Sequence, residues 1–228
     1  MSNLPTGFGN ANFYVDSANG LTIDGCIIEP GAQCAGAGGP NGQGDTTFID
    51  QNLAYAALAG SNFSAANLTD ANLANANMNN AKLGNAIATG ANMTNINLSG
   101  ANLANANLNN AILADATLFV GQANNALFRG ANLAGANLSA SNLAGADFTG
   151  ADLSGTIVNS TNLVNANLTN ANLTNANLSS SDLNGANLTN ANLTNANLSQ
   201  SGTQNLILNG AFLCNTTMPD GSLENPGC

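Results

Sequence analysis

Ala191-Asn192-Leu193-Thr194-Asn195 is one copy of a five-residue unit that runs without a break from Thr46 to Asp220. The unit occurs 35 times in tandem; its third position is Leu, Phe or Met in 31 copies, its second is Asn or Asp in 22, and its fifth is Asn, Gly or Asp in 28. A repeat this short and regular constrains the path of the backbone strongly. It says much less about the biological role of the protein.

A period of five fits neither of the ordinary secondary-structure elements. In an α-helix, a residue at every fifth position advances by about 140° each time, so the apolar side chains would spiral around every side. In a β-strand, residues five apart point to opposite faces. The pattern is satisfied if the chain turns once per unit. Asn, Asp and Gly at the fifth position agree with this, because they tolerate a positive φ best.

The chain is therefore expected to coil around a narrow apolar core, with short straight sides and a turn between them. The first position is nearly always Ala, which would fill the corners beside each Leu. Each coil should hydrogen-bond to the next at about 4.8 Å, as neighbouring strands do, which makes a quasi-one-dimensional solenoid. The predicted core ladder includes Leu53, Leu73, Leu103, Leu133, Leu173 and Leu193.

Tandem Ala-(Asn/Asp)-Leu-x-x units resemble the pentapeptide-repeat proteins, and the resemblance covers about three quarters of the chain. Members of that family form right-handed quadrilateral β-helices with four units per coil, the third residue inside and the first at the corner. The resemblance therefore implies an all-β fold in which residues twenty apart stack. The repeats would make nearly nine regular coils, a rod about 42 Å long at the strand spacing.

The repeat divides the chain into three predicted parts. In residues 1–45, Phe13 and Ile23 keep the five-residue phase, which predicts a degenerate N-terminal coil as a cap, followed by a Gly-rich loop. Residues 46–220 form the predicted β-helix. Residues 221–228 form a C-terminal tail.

Charge is unusually sparse, with 12 acidic residues, only Lys82 and Arg129 as bases, and no His. The net charge of −10 argues against nucleic-acid binding, because two cations cannot neutralise a phosphate backbone. No apolar run is long enough to span a membrane. The start, residues 1–5, has neither the basic residues nor the apolar stretch of a cleavable signal peptide.

Four cysteines lie near the two ends of the chain, at Cys26, Cys34, Cys214 and Cys228. An even number suggests disulfides, and local pairing, first with second and third with fourth, would staple each end of the solenoid where it frays. Free thiols in a cytoplasmic chain and bridges between subunits are the alternatives. Disulfides would indicate an oxidising compartment, so we expect an extracellular or cell-surface location, with the cytoplasm as the alternative.

The sequence lacks the usual parts of a catalytic site. It has no His for acid–base chemistry, no Ser–His or Cys–His pair, and no Gly-rich phosphate loop followed by Lys-Ser/Thr. No two cysteines have CxxC spacing, so a zinc site is not expected either. We therefore expect no enzymatic activity, cofactor, metal or small-molecule substrate.

The repeat departs from its pattern at a few positions. The core position fails at Ala88, Ala123, Val158 and Thr203. Two interpretations of the departures remain open. In the first, the backbone is re-aimed locally, so that Ile87 enters the core in place of Ala88 and Leu127 shares space with the Phe after it. In the second, Phe119, Val120 and Leu127 form an exposed apolar patch that binds a partner.

These observations favour a non-enzymatic, rigid scaffold that is secreted and stacks end to end into fibres, because a solenoid end is an unpaired edge that recruits another edge. The alternative is a monomeric protein-binding module. The family resemblance raises one such role, since some pentapeptide-repeat proteins resemble B-DNA in size and negative charge and bind DNA gyrase. The Asp residues of the repeat array are too sparse to copy the phosphates of DNA.

Overall fold

The computed structural model describes residues 47–225 and Cys228, and the backbone of three short strands that precede them. These strands are β1 (Phe13–Asp16), β2 (Gly20–Ile23) and β3 (Cys26–Ile27). They form an antiparallel sheet in the order β1-β2-β3. All other residues before Thr47 lie outside the described part of the chain.

The antiparallel sheet differs from the degenerate coil that we expected at the N-terminus. A coil of the repeat pairs parallel residues 20 apart, whereas Phe13 lies opposite Ile23 in an antiparallel register, ten residues away. The segments that pair are rich in β-branched and aromatic residues, which favour strands.

From Thr47 onward the chain is a right-handed quadrilateral β-helix. Each second-position residue bridges in parallel to the residue 20 positions later, from the pair Thr47–Asn67 to the pair Asn197–Thr217. Four units therefore complete one coil, as the resemblance implies. We name the four sides A, B, C and D after the first described residues that form them, which are 47–49, 52–54, 57–59 and 62–64. Side A is opposite side C.

The turn predicted at each unit is confirmed. Every fifth position from Asp50 to Asn215 has a positive φ, between 53° and 71°. Each turn is typically closed by a backbone hydrogen bond across four residues, such as the one from Ala66 N to Phe63 O at 3.0 Å. A four-residue turn with positive φ at its third residue favours Gly, Asn or Asp there, which explains the composition of the fifth position.

The third-position side chains fill the interior, and the six leucines of the predicted ladder are all buried. They form two columns rather than one. Leu103 lies on side D, whereas the other five lie on side B, because only positions that differ by a multiple of 20 share a side.

The prediction that the chain is re-aimed locally, with Ile87 entering the core, is wrong. Ala88 remains in the core, and Ile87 points outward with 43% of its surface exposed. The turns on both sides keep their positive φ, so the chain between them cannot shift by one residue. Met78 and Met93, both fully buried in nearby units, are flexible side chains suited to filling the space that the small Ala88 leaves.

The Asn side chain at the second position accepts hydrogen bonds from the residue two positions later. It also forms hydrogen bonds between neighbouring coils. The side-chain Oδ1 of Asn172 accepts hydrogen bonds from Thr174 N at 3.2 Å and from Thr174 Oγ1 at 2.7 Å. Between coils, Asn72 Nδ2 donates to Asn52 Oδ1 at 3.1 Å. Amide stacking of this kind reinforces the parallel backbone pairing.

The regular turns end at Asn215, one unit before the predicted boundary at residue 220. At the next corner it is Gly221, and not Asp220, that has the positive φ. The chain then reverses, and β4 (Thr216–Thr217) pairs antiparallel with β5 (Leu223–Glu224). The part of the chain that the structure describes contains no helix capable of crossing a membrane.

Candidate functional site

The predicted apolar patch of Phe119, Val120 and Leu127 does not exist as one surface. Phe119 is on side C and Val120 is at the corner that follows it, and their exposed fractions are 47% and 46%. Leu127 is on side A, where it bridges Asn107 and Asp147. Since sides A and C are opposite, only Phe119 and Val120 form an exposed apolar pair.

Val120 adopts a backbone conformation that its side chain disfavours. Its φ is 58°, and a β-branched residue at positive φ is a genuine outlier that costs of order 1–3 kcal/mol. The corner residues one coil below and one coil above are the small Gly100 and Ala140, so the pair Phe119–Val120 projects from its surroundings. Strain at an exposed apolar pair is a reason to regard it as a candidate binding feature.

Asp147, on side A, lies at the centre of a polar cluster in which both of its carboxylate oxygens accept hydrogen bonds. Its Oδ2 accepts a hydrogen bond from Arg129 Nε at 2.6 Å, in an ion pair whose Arg side chain is largely exposed. Its Oδ1 accepts bonds from Thr149 Oγ1 at 2.6 Å and from Thr149 N at 3.0 Å. Partial burial raises the pKa of Asp147, but these hydrogen bonds and the Arg129 charge outweigh burial and hold its pKa below the ordinary value.

The neighbouring Asp152 also accepts hydrogen bonds that support the fold. Its Oδ1 accepts from Ser154 N at 3.0 Å and from Asn172 Nδ2 at 2.9 Å. The two carboxylates lie on adjacent sides of a convex rod. Within the described residues, no group of three or more His, Cys, Asp or Glu side chains is placed to hold a metal ion. The arrangement fits surface carboxylates that support the fold.

The C-terminal end of the rod leaves several backbone donors without an acceptor among the described residues. In lower coils, third- and fifth-position N–H groups donate to carbonyls of the next coil, as Leu198 N does to Thr217 O at 2.8 Å. Above the last coil, residues 47–225 form no further coil. Five such N–H groups donate to no described residue; they belong to Thr203, Asn205, Leu208, Gly210 and Leu213.

The apolar core is also incompletely covered at this end. Leu206, Leu208 and Leu213 pack against the core but are only partly buried, in contrast with their fully buried equivalents in the preceding coil. An open depression of about 340 Å³ lies where Thr203 replaces the usual core leucine. Residues of the tail line its other wall. An unpaired strand edge with partly buried leucines is chemically suited to pair with another strand edge.

The C-terminal tail covers side C of this end and is held by a disulfide. Cys214 and Cys228 are bonded, with their Cα atoms 5.1 Å apart, as the local pairing predicted from the sequence requires. The other predicted pair, Cys26 with Cys34, lies outside the described residues. Sequence analysis missed Ser222 and Asn225, whose oxygens accept hydrogen bonds from the last coil, because the tail has no repeat from which a role could be predicted.

Comparison with known proteins agrees with this architecture. The structure is similar to that of HetL, a pentapeptide repeat protein involved in heterocyst differentiation regulation in the cyanobacterium Nostoc sp. strain PCC 7120. The TM-score is 0.52 and the identity 28%, over 78% of this chain and 88% of HetL. A trypsin-treated variant of QnrB1, a plasmid-mediated fluoroquinolone resistance protein, is similar with a TM-score of 0.49 and 16% identity, over 72% of this chain and 88% of that one.

A search among curated protein sequences finds no significant match. The sequence does match the family described as Pentapeptide repeats, in eight copies, over residues 48–85, 76–115, 124–159 and 161–200. These matches cover more than half of the chain, and they coincide with the coils in which Asn or Asp, Leu and a positive-φ turn residue recur. The protein therefore belongs to the pentapeptide repeat family.

Proposed function

We propose that the protein is a non-enzymatic scaffold, a rigid rod that binds protein partners and associates end to end. The observation that carries this proposal is the C-terminal edge, where five backbone N–H groups lack a described partner and core leucines are only partly buried. A rod is rigid when each coil is fixed to the next by hydrogen bonds on all four sides. The low density of charge along the rod would leave little repulsion between copies.

The geometry of the repeat favours a second copy as the partner at this edge. Third-position N–H groups such as that of Leu208 point toward the missing coil, and in every lower coil such groups donate to second-position carbonyls. The second-position carbonyls of the last coil already accept from the coil below, so the matching acceptors of another copy are the second-position carbonyls of its first described coil, at the opposite end of the rod. End-to-end association would therefore continue the existing hydrogen-bond pattern and cover Leu208 and Leu213.

A charge placed at the edge tests the proposal. Leu208→Lys puts a cation in the partly buried core of the last coil, where burial against another copy would require its desolvation. Ile87→Lys is the matched control, since it adds the same charge on the outer surface of a middle coil. We expect sedimentation to show mass rising with concentration for the native protein and the control, and association at least about tenfold weaker for Leu208→Lys. Equal association of all three proteins would contradict the proposal.

We also propose an extracellular or cell-surface location. The disulfide between Cys214 and Cys228 supports it, because disulfides persist in oxidising compartments. Mass spectrometry of the native protein under non-reducing conditions tests this proposal. Finding both cysteines as free thiols in material isolated with thiol trapping would contradict it.

A monomeric binding module is the second candidate, and the strained, exposed pair Phe119–Val120 favours it. The similarity to HetL, whose described role is in regulation, is compatible with such a module. A gyrase-binding DNA mimic has less support, because Arg129 pairs with Asp147 and, among the other described Asp residues, only Asp50 and Asp70 share a corner of the rod. A supercoiling assay separates these roles: inhibition of gyrase by micromolar protein would favour mimicry over the scaffold.

A further inference from the structure

We propose that the C-terminal tail is a removable cap on the end of the rod, and that the disulfide between Cys214 and Cys228 keeps it closed. The cap would limit pairing of this end with a second copy of the chain, and reduction of the disulfide would open it. The regulatory part of this inference rests on the proposed end-to-end function.

The tail supplies hydrogen-bond acceptors at positions where each lower coil finds them in the coil above it. One coil below, Asn195 N donates to Cys214 O and Leu198 N donates to Thr217 O, both at 2.8 Å. At the last coil the equivalent donors are Asn215 and Met218. Asn215 N donates to Asn225 Oδ1 at 3.2 Å, and Met218 N donates to Ser222 O at 2.8 Å. The tail therefore supplies two of the acceptor oxygens that the next coil would provide.

The tail also blocks continuation of the rod on the side that it covers. All bridges along the rod are parallel, up to Asn197–Thr217. On top of Thr217 the tail instead adds β5, which runs antiparallel with Leu223 opposite Thr217. A parallel strand from a second copy cannot occupy the same edge while β5 is there. Sides D, A and most of side B remain open, so the cap is partial.

Among the described residues of the tail few noncovalent contacts reach the last coil, so we infer that the disulfide is its main tether. β4 and β5 are two residues long each, and a pair of such short strands has little stability alone. Leu223 and Glu224 are both exposed, so β5 buries little apolar surface. The covalent bond joins the end of the tail, Cys228, directly to the last coil at Cys214.

Opening requires a two-electron reductant, for which we name a dithiol. The sulfur–sulfur bond between Cys214 and Cys228 breaks, each sulfur gains one proton, and the dithiol closes its own disulfide. The tail can then leave, which frees the N–H groups of Asn215 and Met218. With side C open, all four sides of the last coil present donors to the edge of another copy.

The experiment compares the native protein with a Cys214→Ser/Cys228→Ser variant and with a Cys26→Ser/Cys34→Ser control, which retains the C-terminal disulfide. Amide hydrogen exchange of Asn215 and Met218 reports on the cap. Sedimentation reports on association. We expect both amides to exchange at least about tenfold faster in the C-terminal variant, with Asn195 and Leu198 unchanged, and association to be stronger than in the native protein and the control. A dithiol should produce the same changes in the control.

Two results would overturn the inference and leave the proposed function standing. One is unchanged exchange of Asn215 and Met218 in the C-terminal variant, which would mean that the disulfide does not hold the cap. The other is faster exchange with association equal to that of the native protein, which would mean that the cap does not regulate pairing. Faster exchange with no association in any of the proteins would contradict the end-to-end function, and the regulatory role of the cap would fall with it.

Discussion

The ring of Phe128 stacks on the ring of Phe148 one coil above, with centroids 4.8 Å apart and planes 4° from parallel. Each of these rings has a small core residue nearby in the sequence. Ala123 precedes Phe128 by one unit, and Val158 follows Phe148 by two units. We therefore expect a large side chain to compensate for a small one where the core ladder loses Leu, so that the interior keeps its packing density.

We predict that this compensation is measurable as a coupling between two substitutions. Phe128→Leu removes volume and should destabilise by about 1–2 kcal/mol. Ala123→Leu overfills the same region and should cost about 1–3 kcal/mol alone. The double variant should lose at least about 1 kcal/mol less than the sum, because the second change fills the space that the first creates. Urea unfolding of the four proteins measures the coupling, and strictly additive losses would contradict it.

Replacing Val120 with Asn should increase the stability of the folded protein. Val120→Asn places at this corner a residue that tolerates the observed φ of 58°, and we expect a gain of about 1 kcal/mol. The matched reverse change, Asn125→Val, introduces a β-branched residue at the next corner, where φ is 56°, and should destabilise. Melting temperatures give both values. A loss of stability in Val120→Asn would show that the strain argument is mistaken.

The lowered pKa of Asp147 predicts that the stability of the fold depends on pH. Because the pKa of Asp147 is lower in the folded protein than its ordinary value of 3.8, the folded state binds fewer protons than the unfolded state. The carboxylate therefore stabilises the fold fully above the unfolded pKa, and this contribution is lost as pH falls through the folded pKa.

Asp147→Asn should thus be less stable than the native protein at pH 7, by about 1 kcal/mol for the exposed ion pair and its charge-assisted bonds. The difference should shrink below about pH 4. Asp182→Asn is the control, because Asp182 pairs with no cation among the described residues. A difference between Asp147→Asn and the native protein that stays constant down to about pH 2 would rule out this role for the carboxylate.

A buried hydroxyl should contribute more than an exposed one. Thr161 is 1% exposed, and its Oγ1 donates to Leu138 O of the preceding coil at 2.8 Å. Thr161→Val leaves that carbonyl without its donor and should cost about 1–3 kcal/mol. Thr189→Val, at a partly exposed position whose Oγ1 donates to Asn187 Oδ1, should cost less. Equal losses in thermal unfolding would contradict the distinction.

The repeat alone was enough to predict the coil, the turn at every unit and the buried ladder. The reason is physical: Leu193 and Asn195 occupy positions whose environments are set by neighbours of the same kind, so local preference and global fold agree. The coil of four units, which the family resemblance implied, adds the side on which each residue lies. Phe119 and Leu127 are eight residues apart, which a 20-residue coil places on opposite sides, so their separation followed from the register and was overlooked.

The ends could not be predicted in the same way, because no neighbouring coil fixes their environment. At the N-terminus, the phase of Phe13 and Ile23 suggested a coil, whereas the pairing of β1 with β2 follows the period of two typical of strands. At the C-terminus, Asn225 acts as an acceptor only because the chain reverses after Gly221. The candidate binding edge depends on this reversal.

The central claim is that the C-terminal edge of the rod pairs with another copy, and electron microscopy of the native protein tests it most directly. We predict rods of one width whose lengths are multiples of a single-molecule length, with longer rods more frequent at higher protein concentration. The longer rods should become rarer in Leu208→Lys and not in Ile87→Lys. Uniform particles of single-molecule length at every concentration would contradict the account.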